Sequence, residues 1–102
     1  MRDGRPRRGQ GVGTEAAQAL AVDALGFLAG DPERLSRFLA VTGLEAHELR
    51  AAAGDPSFFV ALLDFLLADE RTVLDFAASQ GIAPERVAEA RRALAGRDAG
   101  EF

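Results

Sequence analysis

From Thr14 onward, apolar residues recur at helical spacing, punctuated by Asp-Pro pairs and glycines. Ala17, Leu20, Ala21, Ala24, Phe27 and Leu28 follow i, i+3, i+4 steps and form the inward stripe of a first helix, with Thr14 as its candidate cap. Asp31-Pro32 opens a second helix anchored by Leu35, Phe38 and Leu39. The aspartate accepts from orphan amides and proline fits the first turn, where no amide donor is needed. Gly43 ends this helix in a left-handed cap. Leu44 then stands just before a third helix and can staple onto Leu49; that helix runs to about Ala53 and stops at Gly54.

The same programme restarts at Asp55-Pro56. A fourth helix runs from Pro56 to Ala68. Asp69 caps a fifth, which carries Val73, Phe76 and Ala77 and ends at Gly81. Ile82 can staple onto Val87, and Ala83-Pro84-Glu85 opens a sixth helix that fades at Gly96. No segment alternates with the period of a strand. The prediction is an all-α fold, a compact bundle of about six helices.

A step of 38 residues lays the chain on itself without a gap: Val22 on Val60, Leu25 on Leu63, Phe27 on Phe65, Leu28 on Leu66, Asp31 on Asp69, Phe38 on Phe76, Gly43 on Gly81 and Ala52 on Ala90. These shared positions are anchors, caps and turn glycines, so they specify a fold rather than a chemistry. The bundle is therefore expected to consist of two tandem three-helix repeats, too few for a solenoid. Where the copies differ, small stands against large. Ala21, Ala24 and Ala29 align with Phe59, Leu62 and Leu67, as if the two long helices interdigitate.

The fourth helix has an unusual cross-section. Ser57, Ala61, Asp64, Ala68 and Arg71 form one narrow polar or small stripe, and the remaining roughly 220° is large and apolar. Such a helix is central to the bundle or meets a partner. Phe58 and Leu62 are the candidate interaction residues, because Val60, Leu63, Phe65 and Leu66 match first-copy anchors and so belong to the core.

Composition narrows the class. At 102 residues the chain is one small domain, and 48% apolar residues argue against disorder. Residues 1–13 read as a flexible basic tail, 14–96 as the helical domain and 97–102 as a flexible end. Cysteine is absent, which excludes a disulfide framework and thiolate metal sites and fits a cytoplasmic location. No stretch is long enough to span a membrane, and no apolar leader core follows the basic start. All 12 basic residues are arginine, as in proteins from GC-rich bacteria. Arg2, Arg5, Arg7 and Arg8 against Asp3 give the tail +3, which leaves −7 on the rest of a chain whose net charge is −4.

Candidate chemistry is sparse. His47 is the single histidine, and HELRA lacks the second histidine of a zinc-protease motif. Ser36, Ser57 and Ser79 have no histidine–aspartate pairing in reach of a sequence argument. Asp31, Asp55 and Asp69 are caps, and Glu33, Glu70 and Glu85 suit first helical turns. GQGVG follows no strand, so it is no phosphate loop. No catalytic residue, metal, cofactor or small-molecule ligand is expected. DFAASQGIAPERVAEARRAL resembles a helix-turn-helix, which makes nucleic-acid binding the alternative. Against it, the first residues of the reading helix would include Glu85, and the folded part is acidic, so counterion release would be weak.

GFLAGDPERLSRFLAVTGLEAHELR, followed by DPSFFVALLDFLLADE and GIAPERVAEARRAL, resembles the alphaproteobacterial family of domain of unknown function 3572, over about Ala17 to Ala95. The resemblance implies no activity, cofactor or catalytic residues, and suggests regulatory company. The functional expectation is a non-enzymatic cytoplasmic adaptor or interaction module that meets a protein partner or a second copy of itself.

Overall fold

The structure, a computed structural model, describes residues 13–99, with side chains through Ala95. Six helices follow one another, with no strand among the described residues: α1 (Thr14–Ala29), α2 (Pro32–Thr42), α3 (Leu49–Ala52, entered through a 3-10 turn at Ala46–Glu48), α4 (Pro56–Leu67), α5 (Glu70–Gln80) and α6 (Glu85–Ala99). No helix among these residues is long and apolar enough to cross a membrane. The expected tail, apart from Gly13, and the last residues, 100–102, lie outside the described part.

The helix ends follow from local chemistry. Asp31 accepts from the Arg34 amide at 3.3 Å, Asp55 from Ser57 at 3.0 Å and Asp69 from Arg71 at 3.2 Å. Gly43 and Gly81 turn left-handed, at φ 79° and 69°. The two terminations differ in detail. After α5, the Ile82 amide reaches back to the Ala77 carbonyl at 3.0 Å and the Gly81 amide to Ala78 at 3.3 Å, the two bonds of a Schellman cap. After α2, Gly43 donates to Leu39 at 2.8 Å and the Leu44 amide goes instead to the Thr42 hydroxyl at 3.3 Å. Two boundaries depart from the sequence reading. Thr14 is the first helical residue and Gly13 the cap, with no side-chain bond. α6 continues through Gly96 to Ala99, since one glycine costs a helix only about 1 kcal/mol.

The core lies where α6 packs along both α4 and α1, the most extensive helix contacts in the molecule. Leu28, Phe38, Leu62, Leu63, Leu66, Phe76, Val87 and Leu94 are fully buried there. Ala21 and Ala24 of α1 and Phe59 and Leu62 of α4 are all buried, whereas the third small-large pair, Ala29 and Leu67, is exposed. α3 has no comparable role. It is only a turn long beyond its 3-10 entry and sits at the edge of the core, so the third helices of the two halves are not equivalent.

That asymmetry corrects the expected interaction patch. Phe58 and Leu62 are 7% and 0% exposed. Phe58 meets Phe38 edge to face at 5.8 Å, and α6 lies along α4, the helix that carries Leu62. Of the four residues assigned to the core by the internal match, Leu63 and Leu66 are fully buried, whereas Val60 and Phe65 are only partly so. The chain covers the Phe58, Phe59, Leu62, Leu63 and Leu66 part of the apolar arc of α4, and leaves Val60, Phe65 and Leu67 less covered.

Candidate functional site

α2 rests on α4 far more lightly than α6 does, and a 680 Å³ groove opens between them. Its α4 side is the narrow small or polar stripe of the sequence, Ala61 and Asp64 with Ala68 at the helix end. The aromatic part of its lining is Phe38 and Phe65, in edge-to-face contact at 5.3 Å. Arg37, Val41 and Thr42 of α2 form the opposite wall, and Asp69 closes one end. Val41 is 71% exposed, the most exposed large apolar side chain among the described residues.

The polar groups of the groove are partly engaged. Arg91 of α6 clasps Asp64 through two bonds, at 2.7 and 3.2 Å. The Thr72 hydroxyl donates to Asp69 at 2.8 Å and holds that carboxyl below its ordinary range. Desolvation opposes this shift, while the Arg71 amide and the charges of Arg37 and Arg34 reinforce it. Thr42 donates its hydroxyl to the Phe38 carbonyl at 3.0 Å, which fixes the α2 end of the wall.

A second concavity of 640 Å³ lies between the end of α1 and α3, lined by Leu25, Ala29, His47, Leu49 and Arg50 among others. His47 is well exposed, with Nδ1 3.7 Å from Glu45. Among the described residues, Ser79 is committed to the Phe76 carbonyl at 2.8 Å, and no cluster of three or more His, Cys, Asp or Glu residues is placed to hold a metal. The candidate residues from the sequence thus separate. Asp31, Gly43, Asp55, Asp69 and Gly81 stand at helix ends, and Phe58 and Leu62 lie inside. Asp69 alone of these also borders a groove.

Val41 escaped the sequence reading. Its signal was a mismatch in the 38-residue alignment, where an apolar Val41 stands on a polar Ser79. A valine one turn beyond Phe38 reads as another core anchor unless the helix that should cover it is known to stand off.

No curated protein and no solved structure matches the chain. A family model described as a protein of unknown function (DUF3572) matches residues 14–97, and the chain belongs to that family.

Proposed function

We propose that this chain is a non-enzymatic cytoplasmic adaptor that binds a partner protein in the groove between α2 and α4. The observation that carries the reading is Val41, a valine 71% exposed on the wall of a groove whose lining includes two phenylalanine rings. Water gains nothing by wetting such a surface, and about 25 cal/mol is recovered for each Å² of it that a partner covers. The alternative, DNA recognition by α5 and α6, draws less support. α6 is engaged along α1 and α4, and its exposed first turn offers Glu85, with Arg86 held 3.8 Å from Glu89.

The test compares the wild-type chain with Val41→Asp as bait in a native lysate, with circular dichroism to show that the variant is folded. A partner retained by the wild type and lost with Val41→Asp supports the groove. A partner set unchanged by Val41→Asp, together with duplex DNA retained at physiological salt by a chain that starts at Gly13, overturns it in favour of nucleic acid.

A further inference from the structure

Where α2 meets α5, one arginine fills a corner. The guanidinium of Arg34 lies over the Phe27 ring, 5.6 Å from its centroid. It donates to Asp31 at 3.3 Å and to Asp75 at 2.7 Å, and the side chain is only 17% exposed. A step of 38 residues carries the surroundings of this corner onto the groove between α2 and α4: Phe27 becomes Phe65, Phe76 becomes Phe38 and Asp31 becomes Asp69. The edge-to-face aromatic contact is kept, at 5.5 Å in one place and 5.3 Å in the other. The arginine is not kept. Its counterpart is Thr72, a short side chain turned onto Asp69.

The groove therefore resembles the filled corner with its cation removed. Resting on the groove reading above, we infer that the partner inserts an arginine there, from a segment whose apolar residues cover Val41. The guanidinium takes the place over Phe65 that Arg34 takes over Phe27, a cation–π arrangement. Its N–H groups donate to Asp69, whose carboxyl is kept ionised. Asp64, where the filled corner has Gly26, supplies a second carboxylate. Arg91 uses both oxygens of Asp64, but an ionised carboxylate has about four acceptor sites and that side chain is half exposed. The charge of −7 outside the tail draws a cationic segment toward the fold.

One residue opposes the guest. Arg37 stands where the filled corner has Asp75, and it repels a second guanidinium. Arg37→Asp restores the missing carboxylate and gives the test its handle. The full ¹⁵N-labelled chain is titrated with two synthetic amphipathic peptides of identical leucine spacing, one with arginine and one with glutamate on the polar face. The arginine peptide is expected to shift the amides of Val41, Thr42, Ala68 and Asp69, and to bind Arg37→Asp on the order of tenfold more tightly. Arg50→Asp, the same charge change on α3 outside this groove, should leave its affinity unchanged. Asp69→Asn, which keeps a capping side chain, should weaken it.

Equal binding of the glutamate peptide in the groove overturns the arginine inference and leaves the groove reading standing. Binding of neither peptide overturns both. Equal tightening by Arg50→Asp reduces the effect to net charge and overturns the inference. So do groove shifts that appear without peptide, either on removal of residues 1–12 or on concentrating the protein. The occupant would then be the chain's own tail or a second copy.

Discussion

The ring of Phe27 meets the ring of Phe76 edge to face, with centroids 5.5 Å apart, and joins the first helix of one half to the second helix of the other. Phe65 and Phe38 make the reciprocal contact at 5.3 Å, displaced by 38 residues at both partners. The two contacts thus tie α1 to α5 and α4 to α2. Phe38 and Phe76 are fully buried, whereas Phe27 and Phe65 are partly so. Phe38→Ala and Phe76→Ala should each cost about 3–5 kcal/mol in chemical denaturation, against a total stability of about 5–15 kcal/mol. Phe27→Ala and Phe65→Ala should cost less, and equal losses at all four positions would contradict this ranking.

The left-handed glycines give a second expectation. A Cβ built on Gly43 or Gly81 meets nothing within 4 Å, so the cost of a side chain there is backbone strain alone. Gly43→Ala and Gly81→Ala should each lower stability by about 1 kcal/mol. Asparagine, which tolerates this backbone region better, should cost less than alanine at both sites. Thermal melts of the four variants check the order.

Asp69 links stability to pH. Its carboxyl has a lower pKa in the folded chain than an ordinary aspartate, chiefly because Thr72 donates to it. The unfolded chain therefore takes up the proton first. The stabilisation is fully present above the unfolded value of about 4 and is lost as pH falls through the folded value. Thr72→Val should move the Asp69 titration upward, read by carboxyl carbon shifts. The same variant should lose most stability relative to wild type at neutral pH, and the difference should shrink in acid.

Leu62 separates packing from recognition. It is fully buried, so Leu62→Ala should cost about 2–5 kcal/mol and lower the melting temperature sharply. Val41→Asp, on the open wall of the groove, should leave the melting temperature nearly unchanged. A stable Leu62→Ala protein that had lost only partner binding would move the site to the Phe58 and Leu62 face of α4.

Much of the fold was legible because helix ends are written in short-range chemistry. Asp31, Asp55 and Asp69 bond amides two or three positions onward, and Gly43 and Gly81 take a conformation that other residues avoid. What the sequence concealed depends on which helix covers which. Phe58 and Val60 stand at opposite edges of one apolar arc, about 200° apart, and Phe58, which meets Phe38 of α2, is buried more completely than Val60. The 38-residue match pointed the wrong way here. It equates Val22 with Val60, yet Val22 is 53% exposed, because equivalent positions face different neighbours once α3 and α6 diverge. The groove was hidden for the same reason. Its small stripe on α4 was visible as a pattern, but nothing local says that α2 stands away from it.

The position of α6 has a consequence for how the protein is made. The helix that seals α1 against α4 is the last of the six to leave the ribosome. Until it emerges, α4 lacks the helix it contacts most extensively, and the nascent chain carries sticky surface that the finished molecule hides. Closure then joins residues far apart in sequence, so the bundle stays open until α6 has emerged. A ribosome stalled before Glu85 should hold an open chain that chaperones recognise, and one that has released Ala99 should not.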